Sequence, residues 1–472
     1  MKGNFLALDL GAESGRAMLA RFAGGKVELS EVHRFPNTPV QLPTGLYWDT
    51  LRLFHEICEG IRSAAKIELD GIAVDTWGVD FGLIDGNGEL LHNPRHYRDP
   101  RTTSVPEEVF QRIPRAEIFR ETGLQFMAIN SLYQLYSIQR DTPGLLPLAS
   151  KLLFMPDLFN YFLTGTFAAE RTIASTSQFY NPRKKRFATD LLRALGIHSG
   201  FFPSLIDSGV ELGSLLPFVS DRCGLTQEIR VYTTGSHDTA SAVAAVPAAG
   251  NENWCYISSG TWSLMGVEVR EPIIDDDALE ANFTNEVGVD GTIRFLKNIP
   301  GLWVLQECRR AWAKEGHEYS YAELMERAES ARPINTILDL DELISPGNHP
   351  SRICEFCNRT GQEVPQDPGS MTYVILHSLA VRYRETLATL EKLTGRALEV
   401  IHIVGGGSQN RLLNQLAADA TGRRVIAGPT EATALGNSLT QAMGTGMITS
   451  LEELRSVVRA SFRLEEFAPR AH

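Results

Sequence analysis

One pattern occurs twice in this chain, at its start and again just past its middle. Phe5 to Phe22 reads FLALDLGAESGRAMLARF, and Trp254 to Val269 reads WCYISSGTWSLMGVEV. Each is an apolar strand, a turn rich in Gly, Ser and Thr, and a second apolar strand. The glycines stand where the chain must reverse, which suits hairpin turns. We read two domains of similar build, each opening on a β-hairpin. At 472 residues the chain is also too long for one compact core.

Beyond each hairpin, helix and strand alternate. Asp49 to Lys66 has helical apolar spacing through Leu51, Phe54, Ile57, Cys58 and Ile61, and Asp70 to Asp75 is a short buried strand. In the second half, Val374 to Leu393 is an amphipathic helix stopped by Gly395. Val400 to Val404 is a strand that runs into Gly405, Gly406 and Gly407. Leu412 to Thr421 is a helix closed by Gly422, Arg423 to Ala427 a strand, and Glu431 onward a helix up to Gly444. Such alternation gives an α/β fold class.

Three glycine loops carry the chemistry. In Asp9-Leu10-Gly11-Ala12-Glu13-Ser14-Gly15-Arg16 a tight turn can expose backbone N–H groups, with the Ser14 hydroxyl and the Arg16 cation beside them. Such nests bind phosphate oxygens. Asp9 ends the strand and suits a hydrated Mg²⁺, an ion that keeps most of its waters. Taken alone, the segment reads first as a plain hairpin turn with a capping aspartate. Ser258-Ser259-Gly260-Thr261 repeats the chemistry in the other half, and Gly405-Gly406-Gly407-Ser408 offers bare backbone to a flat ring. Gly436 sits within a helix at a cost of about 1 kcal/mol against Ala, so it marks a close approach, to a ligand or to another helix.

Ser236-His237-Asp238-Thr239-Ala240-Ser241 leads a loop into an Ala-rich helix. A carboxylate there could take the proton of a sugar hydroxyl as it attacks a γ-phosphate. Asp238 could equally be only an N-cap. The formal net charge of −12 leaves no electrostatic footprint for nucleic acid or an anionic membrane. No apolar run is long enough to span a bilayer, and the first residues lack the h-region and cleavage site of a signal peptide. The six cysteines are thinly spread, so a reducing cytoplasm with free thiols is expected. Cys354 and Cys357 read as two ordinary thiols in a loop, because a closed zinc site needs four ligands.

With these residues in place, the chain resembles the FGGY family of carbohydrate kinases, in the actin-like ATPase superfamily, over nearly its whole length. The segments that carry the likeness include DLGAESGRAMLARF, DTWGVDFGLID, YRDPRT, MPDLFNYFLTG, SHDTASAV, YISSGTWSLMG, LKNIPGLWVLQE, HIVGGGSQNRLLNQLAADATG and VIAGPTEATALGN. The resemblance implies two ribonuclease-H-like domains, residues 1–245 and 246–472, flanking a catalytic cleft. The first would hold the sugar, one phosphate loop and the base, and the second would hold ATP.

It further implies ATP contacts at Ala12, Glu13, Ser14, Gly15, Arg16, Thr261, Gln306 and Gly406, and a reaction that uses Mg²⁺, for which Asp9 is the holder through water read above. Sugar contacts fall at Gly78, His237, Asp238, Thr239 and Asn298, with Asp238 as the base. The branch whose segments it shares implies transfer from ATP to the 1-hydroxyl of L-rhamnulose. Other members act on fuculose, xylulose or an autoinducer, and residues around Trp77, Gly78, His237 and Asn298 would set that choice. A non-metabolic actin-like ATPase would need neither a base at Asp238 nor the YRDPRT segment. The expected partners are a small-molecule ketose and ATP, with a monomer or small homo-oligomer as the assembly. Glu13 departs from the small residue usual in the first loop and is expected to point outward.

Overall fold

The computed structural model describes residues 2–250 and 252–470. The chain forms two compact units. The first comprises residues 1–245, 268–295 and 432–461, and the second 246–267, 296–431 and 462–472.

In the first unit the opening hairpin pairs Lys2–Leu10 with Ser14–Ala23, and Lys26–Pro36 continues the antiparallel meander. Gly71–Thr76 then adds parallel to Lys2–Leu10, and Arg230–Tyr232 parallel to Gly71–Thr76. All six residues of Gly71–Thr76 are buried, as a central parallel strand requires. Glu211–Ser214 completes the edge of this six-stranded sheet. The helix Thr50–Ser63 packs on the sheet through Leu53, Ile57, Cys58 and Ile61, and starts where the Asp49 side chain accepts from the backbone N–H of Arg52. The helix Ala432–Gly444 lies against Lys2–Leu10 and Gly71–Thr76.

The second unit repeats the plan. Trp254–Ser259 pairs antiparallel with Trp262–Val269 and parallel with Val400–Val404, which in turn runs parallel to Arg424–Ala427. Ile293–Pro300 flanks Trp262–Val269. Taken in chain order, the five principal strands of each sheet therefore lie 3-2-1-4-5 across it. The repeated hairpin seen in the sequence supplies the first two of these five strands in both units. The helix Pro368–Thr394 ends on Gly395 at φ 65°, and Arg411–Thr421 ends on Gly422 at φ 65°, both in the left-handed region where glycine is favoured. The Cys354–Cys357 pair lies on the helix His349–Thr360 rather than in a loop. Its spacing of three residues is helical, and the polar residues around it misled the loop reading. All six cysteines are free thiols.

Candidate functional site

The first unit gathers one group of predicted residues at the C-terminal ends of its parallel strands. Asp9 and Asp75 are register partners on adjacent strands, and Asp9 faces Arg16 across the hairpin. Arg16 Nη2 stands 2.6 Å from Asp9 Oδ2. The turn between them is closed by the Gly11 N–H donating to the Ser14 carbonyl at 3.0 Å. Asn37 braces it, donating from Nδ2 to the Gly11 carbonyl and from its backbone N–H to Glu13. Ala12 and Ser14 are half-buried and Glu13 is exposed. Gly15 has a packing role: a Cβ there would sit 2.1 Å from the Phe35 ring.

Asp75 is a residue the sequence reading passed over. It is completely buried. Burial, and then the nearby Asp9, push its carboxyl well above the usual range, against the Asn437 Nδ2 donor at 2.5 Å and the Arg16 cation. An aspartate inside the apolar run GIAVDT was the available signal.

The second group lies on the neighbouring turns. Thr76 donates its backbone N–H to the Ser236 carbonyl at 2.9 Å, which brings Gly78 beside His237. A Cβ on Gly78 would come within 3.2 Å of His237 Nε2. Val79 follows at φ 68°, an uncommon conformation for a β-branched residue, with a cost of about 1–3 kcal/mol. Its surroundings hold it there. Thr176 Oγ1 accepts from the Val79 N–H at 3.1 Å, and the Ser131 hydroxyl donates to its carbonyl at 2.5 Å. Asp80 then anchors the turn, accepting from Trp48 Nε1, Trp77 Nε1, the Tyr97 N–H and Gln134 Nε2 at 2.6–3.2 Å. Burial lifts the Asp80 carboxyl to about 6 despite these donors.

His237 caps the short helix Asp238–Ala244. Its backbone N–H donates to Thr172 Oγ1 at 3.1 Å. Asp238 keeps 30% of its side chain exposed, and the buried Thr239 donates its hydroxyl to Asp238 Oδ1 at 3.1 Å. Burial raises the Asp238 carboxyl above its ordinary value; Asp9 adds to the shift and His237 opposes it. Gly78, His237, Asp238 and Thr239 therefore form one cluster, with a part-exposed carboxylate of raised basicity at its centre.

In the second unit a separate group converges on the other hairpin. Gln306 Nε2 donates to Thr261 Oγ1 at 3.4 Å, and the Leu302 and Trp303 N–H groups donate to the carbonyls of Gly260 and Thr261. Gly405, at φ 84°, and Gly407 pack on Ser259: a Cβ on Gly407 would sit 2.0 Å from the Ser259 hydroxyl. A Cβ on Gly406 would meet nothing within 4 Å, so this glycine faces open space. Asn298 is half-buried on Ile293–Pro300. Gly436 belongs to the first unit, where it packs against a helix backbone, the second of the two roles its sequence context allowed. Among the described residues no group of three or more His, Cys, Asp or Glu side chains could cage a metal ion.

The profile of the FGGY family of carbohydrate kinases, N-terminal domain, matches residues 4–245, and that of the family's C-terminal domain matches residues 255–445. The chain belongs to the FGGY family of carbohydrate kinases. Among its FGGY relatives, a rhamnulokinase of Bacteroides thetaiotaomicron is 44% identical over 99% of this chain and 96% of its own length. One from Bacillus subtilis is 38% identical over 99% and 95%. The fold matches that of a xylulose kinase from Lactobacillus acidophilus at a TM-score of 0.80 and 15% identity, over 99% of this chain and 94% of the other. It also matches Plasmodium falciparum glycerol kinase solved with ADP, at a TM-score of 0.78 and 15% identity over the same shares. The two-domain α/β architecture is thus that of the FGGY sugar kinases, an actin-like ATPase fold.

Proposed function

We propose that this chain transfers the γ-phosphoryl group of ATP to the 1-hydroxyl of L-rhamnulose, giving L-rhamnulose 1-phosphate and ADP. The observation that carries the chemistry is the Gly78–His237–Asp238–Thr239 cluster. The choice of sugar rests on the full-length likeness to proteins named rhamnulokinase. Asp238 accepts the proton of the attacking hydroxyl as the new P–O bond forms and the bond to ADP breaks. Its raised basicity suits a proton acceptor, and the Thr239 donor orients it. Gly78, His237, Thr239 and Asn298 bind the ketose. The absence of a Cβ at Gly78 leaves the edge of His237 open to it.

Ala12, Glu13, Ser14, Gly15 and Arg16 line one phosphate turn, with Ala12 and Glu13 contributing backbone. Thr261, Gln306 and Gly406 contact the rest of the nucleotide, and the open face of Gly406 admits the adenine. Mg²⁺, which would neutralise charge on the phosphates, would be held by Asp9 through water. One carboxylate beside phosphate oxygens is a fitting donor set for an ion that keeps most of its hydration shell, and the buried Asp75 Oδ1 on the neighbouring strand has no hydrogen-bond partner among the described residues. Residues 1–245, with 268–295 and 432–461, form the sugar-handling unit, and the remainder of 246–472 the ATP-handling one. The protein works in the cytoplasm as a monomer or small homo-oligomer. No helix among the described residues is long and apolar enough to cross a membrane, and the free thiols suit a reducing compartment.

The test is Asp238→Asn, which keeps size and removes basicity. A positioned base contributes about 10²–10⁴-fold in rate, so ketose phosphorylation should fall by that factor while ATP affinity holds. In the wild type, kcat/KM should fall on acidification through a value above the ordinary carboxylate range, because the working form is the ionised one. A variant with near-normal turnover would overturn the assignment.

A further inference from the structure

Two charged side chains behind the sugar cluster have no part in the reaction proposed for it. Glu286 lies on the strand Thr284–Val287, and Arg294 near the start of Ile293–Pro300. Both are buried, and the Arg294 side chain completely so. They belong to the same compact unit as His237. Arg294 Nη2 stands 3.0 Å from Glu286 Oε2 and 3.2 Å from His237 Nδ1, while Glu286 Oε2 is 3.3 Å from that same Nδ1. Arg294 also donates from Nε and Nη2 to the Val287 carbonyl at 3.2 and 3.1 Å, which fixes the plane of its guanidinium. On the opposite edge of the ring, His237 Nε2 lies 3.4 Å from Asp238 Oδ1.

A guanidinium has only donors. A hydrogen bond from Arg294 Nη2 to His237 Nδ1 therefore needs a lone pair on Nδ1, which leaves the ring proton on Nε2. In that state Arg294 donates to Nδ1 and Nε2–H faces the Asp238 carboxylate; the one contact left without a proton is Nδ1 against Glu286 Oε2, an oxygen that makes no hydrogen bond and meets the ring only at 3.3 Å. The other neutral tautomer would donate from Nδ1 to Glu286. It would then set an Arg294 N–H against the ring N–H, and the Nε2 lone pair against the Asp238 oxygen. A doubly protonated ring keeps the first of those clashes.

Glu286 supplies the countercharge without which a buried guanidinium is costly. Burial would raise its carboxyl, but its neighbours, the Arg294 charge foremost, more than offset this and hold it below the ordinary range.

We propose that Arg294 and Glu286 are positioning residues that hold His237 as its Nε2–H tautomer, so that the ring presents a fixed donor to a ketose oxygen and to the Asp238 carboxylate. The inference rests on the reading of His237 as a sugar contact. It adds a reason for sugar selection: the site is built for a substrate oxygen that accepts at this point. A ketose lacking that acceptor would leave the donor only its long contact with Asp238.

The direct test needs no variant to fold other than an assignment control. Long-range ¹H–¹⁵N correlation of the full protein labelled in histidine, with His237 assigned through His237→Asn, reads the protonation of each ring nitrogen. A pyridine-type Nδ1 with a pyrrole-type Nε2 is expected near neutral pH. Kinetics supply the functional arm. Arg294→Met should raise the KM for ketose by about tenfold, the worth of one hydrogen bond of about 1.4 kcal/mol, and leave the KM for ATP unchanged. Arg294→Lys keeps a donor and a countercharge for Glu286, and should restore most of the loss. A pyrrole-type Nδ1 in the wild type would overturn the proposal even if ketose is phosphorylated. So would a folded Arg294→Met with an unchanged ketose KM. An Nε2–H ring in a protein that phosphorylates no ketose would instead uphold the tautomer and refute the reading of function.

Discussion

Gly436→Ala probes the packing that holds the proposed base in place. Gly436 lies on the helix Ala432–Gly444, and a Cβ there would stand 1.7 Å from the Ser241 carbonyl oxygen, 2.5 Å from its carbon and 3.0 Å from its Cα. Non-bonded heavy atoms come to rest about 3.5 Å apart, so the two backbones must separate by roughly 1.5–2 Å or the helix must bend. Alanine recovers about 1 kcal/mol of helix propensity. Overpacking costs about 1–3 kcal/mol, and the upper end applies because the obstacle is backbone and not a flexible side chain. The net loss is about 2 kcal/mol, or roughly 3 °C in Tm for a unit of about 300 residues.

The same displacement reaches the chemistry. Ser241 and Asp238 share one short helix, so the base moves with the carbonyl. Misplacing a catalytic group by about 1 Å can cost about 10²-fold in rate. Thermal unfolding and ketose-dependent ADP release, measured on one preparation, should therefore fall together. A variant that gains stability through its alanine and keeps full kcat would refute the close approach, and with it the account of how Asp238 is held.

The glycines of the second unit divide into two kinds. Gly406→Val should weaken nucleotide binding by calorimetry with little change in Tm, because its side chain enters open space. Gly407→Ala should lower Tm, because its Cβ collides with Ser259. Asp80 makes a stability prediction with a definite sign. Its folded carboxyl is lifted to about 6, so the folded state binds the proton more tightly than the unfolded chain does. That stabilisation is complete below the unfolded value of about 3.9 and is lost as pH rises through the folded value. The stability of wild type relative to Asp80→Asn should therefore decline by up to about 3 kcal/mol across that window in denaturant titrations.

Local chemistry was legible in the sequence, and long-range pairing was not. The hairpins, the strand Val400–Val404 and the helix ends at Gly395 and Gly422 follow from turn glycines and periodicity, which act over a few residues. Even the 3-2-1-4-5 repeat was foreshadowed by its first hairpin. That residues 268–295 and 432–461 pack with the first half was not visible, since their side chains meet partners tens to hundreds of positions away. Asn437 on Asp75 and Arg294 on His237 both arise this way. Gly15 shows the limit from the other side: its place in a glycine turn suggested a phosphate nest, yet its immediate need is room for the Phe35 ring. The cluster around Asp238 was found because SHDTAS is contiguous, whereas its buried supports at Asp80, Glu286 and Arg294 are scattered through three other segments.

The central claim is that this chain is a ketose kinase with a preference for L-rhamnulose, and kcat/KM over a ketose panel tests it most directly. Purified protein with ATP and Mg²⁺ would be assayed for ADP release on L-rhamnulose, L-fuculose and L- and D-xylulose, with a no-sugar control. The account predicts little ATP turnover without sugar, and a kcat/KM for L-rhamnulose exceeding the others by about tenfold or more, the discrimination a site gains from one well-used polar contact. ATP hydrolysis at the same rate with and without ketose, or another ketose preferred by that margin, would contradict it.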